Sequence, residues 1–139
     1  MERTDCVVVG VRWKKRPDVI ATLLLGLYAE DGTLDYVGSA AVAASKHDEI
    51  AALVKPLLSD VAEYRPGEPN RWGTGELEEQ PTRPELVAEV RYDKVQGRRL
   101  RHGTKLLRFR PDKEPGSCTW RELEPAAEPG LSLAELLAP

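Results

Sequence analysis

Residues 21–38 read Ala-Thr-Leu-Leu-Leu-Gly-Leu-Tyr-Ala-Glu-Asp-Gly-Thr-Leu-Asp-Tyr-Val-Gly, two apolar runs on either side of a short polar segment. Asp31-Gly32 is a turn signal, because glycine adopts the positive φ that tight hairpin turns require. The apolar runs on both sides have the length of strands and no helical period. We therefore predict a β-hairpin whose strands lie at residues 19–29 and 34–38.

Three further stretches have the pattern of strands. Residues 4–13 are rich in β-branched side chains without a helical period, which predicts a buried strand. Residues 85–95 alternate apolar and polar side chains, as a half-buried strand does. A turn at residues 96–98 precedes a fifth strand at residues 99–110, with a register break expected at Gly103.

The period changes between the third and fourth strands. Ser45 and Asp48 can cap a helix there, and Pro56 should end or kink it. One helical face carries the apolar residues Ile50, Leu53, Val54, Leu57 and Leu58. Residues 62–84 contain four prolines and three glycines and are predicted to form a long surface connection.

This order of elements favours a mainly β domain, a five-stranded OB-fold (Greek-key) barrel with a helix between strands 3 and 4. SH3-like barrels and other small Greek-key barrels fit the same pattern and stay open. The domain is predicted to span residues 1–123. Residues 124–139 are rich in Pro, Glu and Ala and predict a weakly ordered C-terminal tail with one short helical turn at most.

The composition excludes several classes of protein. A charged fraction of 31% and a hydrophobic fraction of 41% are typical of a globular domain. No apolar run is long enough to span a membrane and the N-terminus is charged, so we predict a cytoplasmic location and no membrane partner. Cys6 and Cys118 share no ligand spacing with His47 or His102, so no metal site is expected. Two free thiols are the simpler expectation for a cytosolic protein, and a disulfide stays open. No glycine-rich phosphate loop precedes a helix.

Charge is segregated along the chain, although the net charge is only −3. Residues 91–113 hold nine Lys and Arg against two acidic residues, and residues 1–16 hold five against two. Residues 17–90 have five cations against fourteen acids. If the two basic segments pair in space, they form a positive face that suits a polyanion such as DNA.

Ten side chains in the basic segments are candidates to contact the DNA backbone, and their contacts would make binding sensitive to salt. They are Arg12, Lys14, Lys15, Arg16, Arg98, Arg99, Arg101, His102, Lys105 and Arg108. Aromatic residues that could stack on bases are few, which favours contact with the backbone of a duplex over stacking on a single strand.

The last basic stretch, residues 107–115, reads Leu-Arg-Phe-Arg-Pro-Asp-Lys-Glu-Pro. A charge run of this kind is usually a solvated strand end. Its position at the close of a basic strand makes it a candidate for contact with an anion.

The sequence resembles the C-terminal OB domain of bacterial ATP-dependent DNA ligases, with the closest likeness to the small ligases of actinobacteria. The likeness runs over about residues 2–123, and its blocks keep their order and spacing. They are residues 2–10 (Glu-Arg-Thr-Asp-Cys-Val-Val-Val-Gly), 23–28, 31–32, 36–38, 83–90, 100–102 and 108–113 (Arg-Phe-Arg-Pro-Asp-Lys).

The resemblance implies a role for Arg110, Asp112 and Lys113, which match the Arg-x-Asp-Lys motif of covalent nucleotidyltransferases. In such ligases the OB domain closes over a separate adenylation domain, and the motif acts on the triphosphate of ATP. A lysine of the other domain attacks the α-phosphorus, and the two cations stabilise the departing pyrophosphate. The domain then presents another face to nicked duplex DNA.

The resemblance also sets the expected cofactors and partners. ATP and Mg²⁺ are expected only together with an adenylation domain, in cis or in trans, and none is expected to bind tightly to this chain alone. The chain lacks the adenylated lysine and should therefore be inactive by itself. A free-standing nucleic-acid-binding OB module is the alternative, and a protein-interaction adaptor is the third hypothesis.

Overall fold

The computed structural model describes residues 2–16, 18–62, 78–92, 94–96, 99–101 and 104–120, with the backbone alone for residues 2, 94–96 and 99–101. One α-helix and eight strands lie in this part of the chain. In order they are β1 (Glu2–Lys15), β2 (Val19–Tyr28), β3 (Leu34–Ala41), α1 (His47–Val54), β4 (Glu78–Pro81), β5 (Val87–Tyr92), β6 (Lys94–Gln96), β7 (Arg99–Arg101) and β8 (Lys105–Phe109).

The hairpin of β2 and β3 forms as predicted. Gly32 has a φ of 85°, the left-handed conformation that glycine adopts without strain. The Asp31 carboxylate accepts a hydrogen bond from the Thr33 amide at 2.9 Å, and the Ala29 amide donates to the Thr33 carbonyl at 2.8 Å. Local turn chemistry therefore closes this hairpin and sets the direction of the two apolar runs beside the turn.

The strand β1 is the centre of the sheet. It pairs antiparallel with β2 along one edge, and along the other edge with β5 at Glu2–Val7 and with β4 at Gly10–Trp13. The main path of the sheet is β3-β2-β1-β5-β8. Strand β3, at one end of this path, also lies close to β8 at the other end and to β7. The sheet thus curls into a barrel, and the prediction of a mainly β OB-fold with five principal strands is confirmed.

The interior is apolar and comes mostly from β1 and β2. Val7, Val8, Leu23 and Leu25 have no exposed surface. Gly26 is part of this packing, because a Cβ atom built there would lie 2.7 Å from Cγ1 of Val9. Burial on both faces explains why these strands read as continuous apolar runs and not as alternating ones.

The helix lies between β3 and β4, as predicted, but two details differ. Its N-cap is Lys46, which makes no capping hydrogen bond from its side chain, so Ser45 is not the cap. The sequence predicts that Leu53 lies on the buried face of the helix, but Leu53 is 47% exposed. Ile50 and Val54 are buried, as predicted. The helix ends at Val54 and continues as a 3-10 turn, close to the end predicted from Pro56.

Two strand assignments need correction. Strand β4 lies inside the stretch predicted to be a surface connection, where it adds to the edge of β1. The predicted fifth strand is two strands, because β7 pairs with β6 in a separate small hairpin while β8 pairs with β5. Gly103 and the predicted tail lie outside the described residues.

Two further properties of the described residues concern the cysteines and membrane-spanning helices. Cys6 and Cys118 are both buried as thiols. Within the part of the chain that the structure describes, no helix is long and apolar enough to cross a membrane.

Candidate functional site

The segment Arg110–Lys113 follows β8 directly and is held as a tight turn. The Arg110 amide donates to the Val87 carbonyl at 2.8 Å, and the Lys113 amide donates to the Arg110 carbonyl at 3.2 Å. Pro111 fixes its own φ, which reduces the conformations open to the turn. The backbone of the motif is thereby fixed to the beginning of β5.

The two cations of this turn meet at one carboxylate oxygen. Arg110 donates from Nη1 to Oδ2 of Asp5 at 3.0 Å, and Lys113 donates from Nζ to the same atom at 2.8 Å. The Asp5 side chain is only 9% exposed. Because both cationic heads contact one atom, they lie within about 6 Å of each other. The barrel therefore places two cations side by side from positions more than a hundred residues after Asp5.

Asp112 completes the motif from the solvent side. Its carboxylate accepts a hydrogen bond from Nη2 of Arg110 at 3.0 Å, and its side chain is 65% exposed. This hydrogen bond, together with one from its own backbone amide, lowers the pKa of Asp112. The same bond, followed by the attraction of Asp5, raises the pKa of Arg110, so the guanidinium stays charged. One arm of Arg110 thus faces a buried carboxylate and the other an exposed one.

A row of charged residues continues from Asp5 across the sheet. Glu89 on β5 lies opposite Asp5, and Arg108 on β8 lies opposite Glu89. Arg108 donates from Nε to Glu89 at 3.0 Å. Arg108 was predicted to contact DNA, and in the structure it is already partnered within its own sheet.

The next row along the same strands contains only cations. Arg3 on β1 lies opposite Arg91 on β5, and Arg91 lies opposite Lys105 on β8. Arg3 and Lys105 are exposed, and the buried Nε of Arg91 has no hydrogen-bond partner. Like charges directly opposite each other on neighbouring strands are destabilising. None of the three forms an ion pair with another described residue.

Sequence reasoning missed four residues of these rows, Asp5, Glu89, Arg3 and Arg91. Arg3 and Arg91 were counted in the local charge but not named as contacts, because their opposition depends on strand register. Asp5 had a usable signal, since it is an acid beside the apolar run that begins at Cys6. A carboxylate at the edge of a buried strand requires a partner.

A second group of predicted cations lies at the other end of β1. Arg12 and Arg16 form ion pairs with Glu79 and Glu78 of β4. Burial opposes the charge of Arg12 most strongly, but the hydrogen bond and attraction of Glu79, helped by Tyr36, raise the pKa of Arg12 overall. Roughly 23 Å of strand separates Arg12 from Asp5, so the structure does not gather the predicted cations in one patch.

The remaining predicted contacts fall into two classes. Lys14 and Lys15 are exposed at the end of β1 and form no ion pair with another described residue. Arg99 and Arg101 belong to β7, of which the structure describes only the backbone. Arg98 and His102 lie outside the described residues.

Comparison with known proteins identifies the family. A family model described as "ATP dependent DNA ligase C terminal region" matches residues 16–113. The chain belongs to this family. The resemblance seen in the sequence is therefore confirmed, and the match includes the whole Arg110–Lys113 turn.

Two relatives of this ligase C-terminal region come from mycobacteria. DNA ligase C1 of Mycolicibacterium smegmatis is 45% identical over 127 residues, which cover 86% of this chain and 36% of the relative. DNA ligase C of Mycobacterium tuberculosis is 38% identical over 141 residues, covering 89% of this chain and 39% of the relative. The chain thus spans less than two fifths of the length of either relative.

Solved structures agree with this family assignment. The crystal structure of the ligase domain from M. tuberculosis LigD superposes with a TM-score of 0.71 at 26% identity, over 85% of this chain and 38% of that one. A mycobacterial DNA ligase D complexed with ATP and MES has a TM-score of 0.68 over 85% of this chain and 37% of its own, at 24% identity, a likeness of fold alone.

Proposed function

We propose that this ligase C-terminal region serves lysine adenylation and nick sealing together with an adenylation domain. Arg110 and Lys113, with Asp112, would act on the triphosphate of ATP. The barrel would contact the phosphates of nicked duplex DNA. The nucleotide and the DNA are those that the names of the family and of its relatives indicate.

One observation carries the nucleotide part of the proposal. Two cations that share Oδ2 of Asp5 are held side by side at the surface. A guanidinium has five N–H donors, so Arg110 retains donors beyond the one that faces Asp5. Neighbouring phosphate oxygens of a triphosphate are a ligand that matches such a pair.

The chemistry follows from where charge develops. When a lysine of the adenylation domain attacks the α-phosphorus, the bond to the β-phosphate oxygen breaks and pyrophosphate leaves with additional negative charge. Cations that are already in place stabilise that charge without reorganising. Arg110 remains protonated at any physiological pH, which suits this role.

The row of Arg3, Arg91 and Lys105 supports the DNA part. Three strands about 4.8 Å apart carry a row roughly 10 Å long. One strand of duplex DNA presents a phosphate about every 3.4 Å of helix axis. Because successive phosphates are also rotated about the axis, they lie further apart than this rise, and a row of this length can contact more than one phosphate.

A complementation experiment tests the nucleotide part. The chain is mixed with a separately produced ligase adenylation domain and radiolabelled ATP, and covalent lysine–AMP is quantified. We expect the chain to increase adenylation and expect Arg110→Ala and Lys113→Ala to remove the increase. Arg83→Ala, which changes an exposed cation elsewhere, is the control and should keep it.

A different result would favour the alternative of a free-standing nucleic-acid-binding module. The cation row supports that alternative as well, since it is independent of the motif. If the wild-type chain never increases adenylation but binds nicked or single-stranded DNA at low salt, the enzymatic part of the proposal fails. If it neither complements nor binds DNA, both fail.

A further inference from the structure

Asp5 is not one of the three motif residues, yet it makes the shortest charged contact of the motif. Its Oδ2 receives Nζ of Lys113 at 2.8 Å and Nη1 of Arg110 at 3.0 Å. Its other oxygen, Oδ1, is buried and has no hydrogen-bond partner. The carboxylate therefore interacts with these two cations and not with the strand around it.

The backbone of Asp5 is held rigidly. Residues Glu2 to Val7 of β1 pair without a register shift with β5. The turn that carries Arg110 and Lys113 is fixed to β5, because the Arg110 amide donates a hydrogen bond to the Val87 carbonyl. A side chain on a rigid strand keeps a functional group in place more accurately than one on a loop.

The two carboxylates that contact Arg110 differ in burial, and this difference sets which contact can be exchanged. Asp5 is 9% exposed, while Asp112 is 65% exposed. Withdrawing both cations from a buried carboxylate leaves an uncompensated charge, which is strongly unfavourable. An exposed ion pair is nearly isoenergetic with its hydrated partners, so a phosphate can replace Asp112 at little cost.

We propose that Asp5 is the positioning residue of the motif: it holds Arg110 and Lys113 side by side before and after nucleotide binding, while Asp112 is exchanged for a phosphate oxygen. This inference rests on the proposed function, because it assigns the arrangement of the same two cations. No bond is made or broken by Asp5, which acts only through its two partners.

The first test uses the wild-type chain and tripolyphosphate as the probe. The ¹³C signals of the side-chain carboxylates are followed by NMR during the titration. We expect the Asp112 signal to move and the Asp5 signal to keep its position within a small fraction of that change. If the Asp5 signal moves as far as the Asp112 signal, or the Asp112 signal does not move, the exchange is overturned.

The second test is kinetic and uses the complementation mixture. Asp5→Asn keeps the shape of the side chain and removes its charge. We expect kcat for lysine–AMP formation to fall at least tenfold, while KM for ATP changes less than threefold, because the cations remain present but are no longer held in place. Glu89→Gln, which removes a neighbouring carboxylate paired with Arg108, is the matched control and should change kcat less than threefold.

Loss of folding is separated from loss of positioning. Near-UV circular dichroism and the ¹H–¹⁵N backbone spectrum report the fold of Asp5→Asn, and the Lys113 ammonium signal reports the contact itself. A folded variant with wild-type kcat overturns the inference, and so does an unfolded variant combined with a failed tripolyphosphate exchange. If the wild-type mixture shows no adenylation, the proposed function has failed instead, and the NMR titration still decides the roles of Asp5 and Asp112.

Discussion

Glu79→Gln should strengthen DNA binding, because it releases a cation that the structure shows to be occupied. Arg12 donates to one oxygen of Glu79 from Nε at 3.1 Å and from Nη2 at 2.8 Å. The glutamine keeps the length of the side chain and its place in β4 but loses the negative charge. Arg12 would then be available to a phosphate.

The magnitude follows from counterion release. One additional phosphate contact makes the slope of log K against log salt more negative by about 0.9. Between 50 and 200 mM salt the affinity of the variant should therefore fall about 3.5-fold more than that of the wild-type chain. Replacing Glu78, the partner of Arg16, in the same chain should double the change in slope.

The assay is fluorescence anisotropy of a labelled nicked duplex, measured at four or more salt concentrations. Glu85→Gln is the control, since it removes the same charge and releases Arg83, which lies outside the predicted contacts. If Glu79→Gln and Glu85→Gln steepen the slope equally, the gain comes from net charge. The assignment of Arg12 to the DNA face would then be wrong.

Two further predictions concern packing and titration. Gly26→Ala should destabilise the chain to urea by about 1–3 kcal/mol, because the new Cβ would lie 2.7 Å from Cγ1 of the buried Val9. Gly116→Ala, with no atom within 4 Å of its Cβ, should stay within about 0.5 kcal/mol, and equal effects would contradict the steric reason. A ¹³C NMR titration of Asp112 should give a pKa below the ordinary aspartate value of about 3.9, and Arg110→Gln should raise it. Since the folded pKa is lowered, the stabilising contribution of Asp112 is complete above the unfolded value and disappears as the pH falls through the folded one; a midpoint unchanged by Arg110→Gln would contradict this cause.

Much of the fold was predictable because its signals are local. The Asp31-Gly32 turn and the apolar runs beside it determine the central hairpin within a few residues of sequence. Strand β4 was not predicted because its signal is not local. It lies in a proline-rich, acidic stretch without an apolar pattern, and it forms as an edge strand through its register with β1. Pairing between distant segments leaves no periodic mark on an exposed strand.

The pairing of β7 with β6, and not with β5, could also not be predicted from the sequence pattern. Residues 99–110 read as one strand, yet β7 pairs with β6 while β8 pairs with β5. Both segments are short and basic, and Gly103 between them predicted a register break but not a change of partner strand. Only the choice of partner strand separates them, and that choice is a tertiary property.

The position of the positive charge could not be predicted by counting along the chain, although its amount could. The basic segment 91–113 and the motif within it suggested a positive end at Arg108–Lys113. In the structure these cations meet the carboxylates of Asp5, Glu89 and Asp112, so the motif is balanced. Among the described residues near the motif, unbalanced charge lies one row away, where Arg3, Arg91 and Lys105 come together from three strands. Because an anion is attracted to charge that has no local partner, that row is where DNA should be attracted first. We propose that the motif becomes available to a phosphate when that phosphate replaces its exposed carboxylate.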